Sequence, residues 1–138
     1  MGTALNPYLN FKGQAREAME FYQRVFGGTL TISTFGEYHA ATDPSEEDLV
    51  MHADLVGPAG VRFMGSDTPN AMVFEPGTNF SMSLSGEDEA ELRGYFDQLA
   101  DGGTVTMPME EAPWGDVFGM CTDRFGVPWL VNVSAQQG

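Results

Sequence analysis

The sequence predicts an α+β fold made of two βαβββ modules, each with a curved antiparallel or mixed sheet and one helix. Three observations point there. The first is an internal repeat. Tyr8-Leu9-Asn10-Phe11, Gly13, Glu17-Ala18, Phe21-Tyr22 and Gly27-Gly28-Thr29 recur in the same order as Ser81-Met82-Ser83-Leu84, Gly86, Glu89-Ala90, Tyr95-Phe96 and Gly102-Gly103-Thr104, offset by about 73–75 residues. Two copies at so long a period make paired halves rather than a solenoid. The second is one helical run per half, each stopped by Gly-Gly. The third is a set of alternating strand segments around each helix, a pattern that packs helices on one sheet face.

Each element has its own reason. Leu9 and Phe11 alternate with Tyr8 and Asn10 at strand period. Residues 14–26 place Ala15, Ala18, Met19, Tyr22 and Phe26 at helical spacing, and Gly27-Gly28 ends the run. Residues 29–35 are β-branched and alternating, so they form a strand. Residues 36–48 form an acidic loop in which Glu46-Glu47-Asp48 reads as a solvated charge run. Residues 50–56 and 61–66 flank Gly57-Pro58-Ala59-Gly60 as a hairpin. Residues 68–78, with Pro69, Pro76 and Gly77, form a linker. Residues 80–85 are a strand, and Ser85-Gly86-Glu87-Asp88 resembles a capping box, with Asp in the usual Glu position. Leu92, Tyr95, Phe96 and Leu99 make one face of the second helix. Residues 104–109, 117–122 and 129–133 supply the last strands. The whole chain, 1–138, is then one domain: module one over about 5–67, the linker over 68–78 and module two over about 79–134.

Composition narrows the function classes. With 138 residues, 42% of them apolar, the chain can build one ordinary core. Six Lys+Arg against twenty Asp+Glu give a net charge of −14. No basic footprint for nucleic acid can be assembled, and an anionic membrane surface would repel the chain. No apolar run reaches the length of a membrane span, and Met1-Gly-Thr-Ala-Leu-Asn-Pro has neither the basic nor the apolar part of a secretory signal, so a cytoplasmic protein is expected. Cys121 is the only cysteine, which rules out an intrachain disulfide and a Cys-rich zinc site. It reads as a buried, inert strand thiol. Motifs for nucleotide cofactors, serine hydrolysis and zincin hydrolysis are absent.

The strand faces nominate a ligand surface. Each strand has one apolar face and one mixed face. On the mixed side stand Tyr8, Asn10, His52, Asp54, Arg62, Met64, Ser81, Ser83 and Asn132. If the sheets curl, these line a cleft. Phe80, Met82 and Leu84 are expected on one apolar face, and Val50 on the face of His52 and Asp54. His39 and His52, with Glu37 or Asp54, are the one set from which a two-His-one-carboxylate metal site could be drawn, although their spacing follows no standard motif. Trp114, beside Gly115 in a loop, can lid a pocket or seal a contact.

Asn6-Pro-Tyr-Leu-Asn-Phe, Ala15-x-x-Ala-Met-Glu-Phe-Tyr22, Val25-Phe-Gly-Gly28, Met64-Gly-Ser-Asp67 and Asp123-Arg-Phe-Gly-Val-Pro-Trp129-Leu-Val-Asn132 resemble the PhnB-like branch of the vicinal-oxygen-chelate superfamily. That superfamily includes glyoxalase I, extradiol dioxygenases and bleomycin-resistance proteins. The resemblance covers about residues 5–134, and its most specific part is Phe125-Gly-Val-Pro-Trp129. It implies paired βαβββ modules and commonly a homodimer. It also implies a divalent-metal site at positions that fall here at Pro7 or Tyr8, Met64, Ser81, and Leu130 or Val131. None of these is His or Glu, so the metal chemistry of the superfamily is expected to be lost. Members often carry the name of a ubiquinone-pathway methyltransferase, yet nothing here resembles a glycine-rich adenosylmethionine-binding turn. The expectation is a cofactor-free homodimer, leaning away from catalysis. It would bind a small organic molecule through Tyr8, His52, Met64, Ser81, Trp114 and Asn132. One alternative is a metal-dependent lyase, isomerase or dioxygenase with a rebuilt site using His52. Another is a structural or regulatory dimer whose clefts are filled by side chains.

Overall fold

The computed structural model describes residue 3, residues 5–58 and residues 60–135; Met1, Gly2 and Ala4 of the N-terminal stretch and Ala59 of the predicted turn lie outside the described residues. The chain divides into two compact units, residues 1–77 and 78–138. The first contains β1 (Tyr8–Phe11), α1 (Ala15–Phe26), β2 (Thr29–Thr34), a 3₁₀ turn (Pro44–Glu46), β3 (Val50–Val56) and β4 (Arg62–Asp67). The second contains β5 (Met82–Gly86), α2 (Glu89–Ala100), β6 (Thr104–Glu111), β7 (Val117–Thr122) and β8 (Pro128–Val133). The sheets run β1-β4-β3-β2 and β5-β8-β7-β6. In each, the first strand pairs parallel with the last and the other pairings are antiparallel. The predicted βαβββ modules with mixed sheets are therefore present in both halves.

In the first unit α1 lies on one face of its sheet. Ala15, Ala18, Met19, Tyr22, Val25 and Phe26 are buried at i, i+3, i+4 and i+7 spacing. They meet Leu9, Phe11, Ala53, Leu55 and Phe63, all buried. Tyr22 and Phe26 pack edge-on to Phe63, with ring centroids 5.3 and 6.2 Å apart. Each such ring contributes about 1.5–3 kcal/mol through removal from water. The helix starts without a side-chain cap of its own at Gln14. Asp67, at the end of β4, supplies one from a distance. Its Oδ1 accepts the Ala15 N–H at 2.9 Å and its Oδ2 the Val50 N–H at 3.0 Å. One buried carboxylate thus fixes the helix entry and the start of β3.

Four sequence expectations need correction. Val50 is buried rather than on the face of His52. Ser33 pairs with His52 but Thr34 pairs with Val50, so Met51 is an extra residue and the bulge turns Val50 inward. Phe80 lies ahead of β5 and is exposed, because pairing holds the chain in line only from Met82. Ser85 sits inside β5, ahead of the helix start rather than at it. The N-cap of α2 is Asp88, whose Oδ1 accepts the Glu91 N–H at 3.1 Å.

The charge run at Glu46 is also not all solvated. Glu46 is buried, accepting the Asn70 N–H at 2.6 Å and the Thr42 hydroxyl at 3.4 Å, which ties the 36–48 loop to the segment after β4.

In the second unit Leu92, Phe96 and Leu99 of α2 are buried, and Tyr95 is half-buried beside them. They face Met82, Cys121, Trp129, Val131 and Val133 on the sheet. Burial, and then the charge of Asp123, push the Cys121 thiol from its ordinary 9.0 up to about 11. A pKa raised on folding leaves stability constant below the unfolded value and removes it as pH climbs from about 9 toward 11. The thermal midpoint of the wild type should therefore fall more steeply across that window than that of Cys121→Ala; parallel pH curves would contradict the assignment.

Candidate functional site

Each sheet has a face turned away from its helix, and five of the six predicted ligand-binding residues belong to these faces or to the loop beside them. In the first unit the register sets Tyr8, Met64, Asp54 and Thr31 in one row across β1, β4, β3 and β2. His52 stands two residues before Asp54 on the same side of β3. The Tyr8 hydroxyl lies 3.4 Å from His52 Nδ1, and the two rings are 5.8 Å apart at 34°. When Nδ1 is the unprotonated nitrogen, the phenol donates to it. Arg62 Nη2 donates to Asp54 Oδ2 at 3.2 Å across the β3–β4 hairpin. Tyr8, His52 and Met64 are thus brought together by register between strands distant in sequence.

In the second unit Trp114 lies in the β6–β7 turn, 66% exposed, with its ring 6.5 Å from that of Phe118. Phe118 pairs with Asn132, whose Nδ2 donates to Asp116 Oδ2 at 3.1 Å. Asp116 Oδ1 accepts the Ala135 N–H at 2.7 Å. That backbone bond, then Asn132 and then Trp114, hold the Asp116 carboxyl below its ordinary range. Asp116 and Phe118 join this cluster without being among the predicted residues; their only signal in the chain is closeness to Trp114. Ser81 is exposed just ahead of β5 and is not brought into this cluster. A recess of about 780 Å³ opens beside the start of α2, lined by Glu87, Asp88, Glu89 and Glu111, with Gly115 and Ala135 from the neighbourhood of Asp116 among its walls. None of the predicted residues lines it.

The donors at the superfamily's metal positions do not suit a divalent ion. Tyr8 is beside His52, Met64 offers a thioether, Ser81 an alcohol, and Leu130 and Val131 nothing. Nor do the histidines gather a site elsewhere. Glu37 accepts the Thr34 N–H and hydroxyl, each at 3.0 Å, and Asp54 is engaged by Arg62. Among the described residues no three His, Cys, Asp or Glu side chains converge as a metal would need.

The paired sheets, each with the order first-fourth-third-second and one helix, define a glyoxalase/bleomycin resistance fold. A glyoxalase/bleomycin resistance protein/dioxygenase domain from Frankia sp. EAN1pec shares it, with a TM-score of 0.66 at 16% identity over 97% of this chain and 98% of that one. The chain belongs to the family described as 3-demethylubiquinone-9 3-methyltransferase, whose model matches residues 3–132. It is 38% identical to protein PA1353 from Pseudomonas aeruginosa, with a TM-score of 0.82 over 98% of this chain and all of that one. The PhnB protein from Bacillus cereus is 30% identical, with a TM-score of 0.77 over 96% of this chain and all of that one. Protein YjdN of Escherichia coli K12 is 34% identical over 96% of this chain and 97% of its own length. No helix among the described residues is long and apolar enough to cross a membrane.

Proposed function

We propose that this chain is a small-molecule-binding PhnB-like protein that works without a metal and as a homodimer, the assembly its family resemblance implies. The observation that carries the reading is the Tyr8–His52 pair on the helix-free face of the first sheet. An aromatic surface with a hydrogen-bonding edge suits a planar organic ligand. Met64 supplies an adaptable apolar floor beside it. Trp114 and Phe118, with Asn132 and Asp116, repeat the combination of rings and polar groups in the second unit. The family's description names a methyltransferase. The residues gathered on these faces offer stacking and hydrogen bonding, and the reading follows them rather than the description.

Native mass spectrometry of protein purified without chelator or affinity metal tests all three parts. A dimer with retained organic mass and no divalent ion is expected, and His52→Ala should lose that organic mass while keeping the dimer. One divalent ion per subunit, lost in His52→Ala, would replace the reading with a metal-dependent lyase, isomerase or dioxygenase.

A further inference from the structure

We infer that Asp54 is the recognition point for a neutral ring N–H or amino group on a planar heteroaromatic ligand. This rests on the reading of the first sheet's open face as a ligand surface. Asp54 Oδ2 is engaged by Arg62, but Oδ1 is shut from solvent and accepts no hydrogen bond from the described residues. A buried acceptor without a donor is destabilising, so a donor supplied by a ligand gains more there than at a solvated carboxylate.

The surroundings define that donor's carrier. Tyr8, Met64 and Asp54 stand in one row on three adjacent strands. With strands about 4.8 Å apart, the row spans about 10 Å, the width of a fused two-ring system. Such a system can lie on Met64 with one end against Tyr8 and His52 and its N–H toward Asp54. Arg62 already balances the Asp54 charge, which favours a neutral donor over a cation. The Arg62 side chain, which contacts Oδ2, is 50% exposed on a flexible stem, and Met64, beside Asp54 in the row, has three rotatable bonds, so both neighbours can shift to admit a ligand.

Indazole and 1-methylindazole are matched probes, both planar and neutral, and only the first carries a ring N–H. Each is titrated into the ¹⁵N-labelled full chain and followed by amide chemical shifts. Indazole is expected to shift β1, β3 and β4 resonances and to bind about tenfold tighter than its methylated partner, the effect of one hydrogen bond to a charged group. Asp54→Ala should erase that preference while leaving the thermal midpoint unchanged or raised, because it removes an unpaired buried oxygen.

A preference that survives in Asp54→Ala, or equal binding of the two probes to the wild type, overturns the Asp54 assignment and leaves the ligand surface standing. So does a large fall in the midpoint of Asp54→Ala, which would make Asp54 a structural group. If neither probe perturbs this face, the ligand-surface reading fails and the Asp54 assignment with it.

Discussion

Asp123→Ala is expected to cost about 3–5 kcal/mol of folding stability, a large part of the 5–15 kcal/mol typical of a domain. Asp123 is buried in the β7–β8 turn. Its Oδ1 accepts the N–H groups of Phe125 and Val127 at 2.8 and 3.1 Å, and its Oδ2 accepts Trp129 Nε1 at 2.9 Å. Removing the carboxylate strands these donors, two of the three bonds being buried, and each stranded group costs about 1–3 kcal/mol. Urea unfolding checks the value, and a loss under about 1 kcal/mol would contradict it. Asp123→Asn retains one oxygen for the turn but sets its NH₂ against the indole N–H. Trp129→Phe should therefore be less harmful in the Asp123→Asn background than alone, a coupling that a double-mutant cycle reads directly. This geometry accounts for the most specific stretch of the family resemblance. Asp123, the turn and Trp129 form one scaffold, and the stretch carries fold rather than ligand chemistry.

The second glycine of each Gly-Gly pair should be the next most sensitive position. Gly27 and Gly102 stop their helices with φ of 79° and 80°. Gly28 and Gly103 have a different task, lying where the chain enters β2 and β6 against the end of the neighbouring strand. A Cβ on Gly28 would strike the Val56 carbonyl oxygen and lie 2.5 Å from Gly57 Cα, at a φ of 96°. A Cβ on Gly103 would strike the Thr122 carbonyl oxygen and lie 2.9 Å from Asp123 Cα. These obstacles are backbone and cannot turn aside. Gly28→Ala and Gly103→Ala are each expected to cost about 2–4 kcal/mol. Gly27→Ala, which meets open space, should cost about 1–3 kcal/mol from its backbone angles alone, because φ 79° with ψ −168° is a region that glycine alone populates readily. Denaturant midpoints rank the three, and Gly27→Ala as the worst would remove close approach as the cause.

Much of this architecture was readable because it rests on local chemistry. Alternation at Tyr8–Phe11 set which side chains share a face, and the helical spacing of Ala15, Ala18, Met19, Tyr22 and Phe26 set the buried stripe of α1. The repeated Gly-Gly-Thr marked two equivalent helix-to-strand junctions. Reading failed where a residue's state depends on a partner far along the chain. Val50 is turned inward by a bulge that exists only once β2 and β3 pair. Glu46 looked solvated until Asn70 came to meet it. Asp67 could not be seen as the cap of α1, because 52 residues separate it from Ala15.

The candidate site divides along the same line. Its residue types are legible in the chain: phenol, imidazole, thioether, indole and amide, with a net charge of −14 that opposes nucleic-acid binding. Period-two alternation also determined that Tyr8 and His52 lie on mixed faces of their own strands. That they meet is set by strand pairing. Parallel pairing of β1 with β4 and antiparallel pairing of β4 with β3 set Tyr8 beside Met64 and Met64 beside Asp54. Registers between strands are chosen by the whole buried face at once, since a slip of one residue would send Leu9, Phe63 and Leu55 to water. The same choice that seals the core against α1 assembles the row of Tyr8, Met64 and Asp54 on the other side of the sheet.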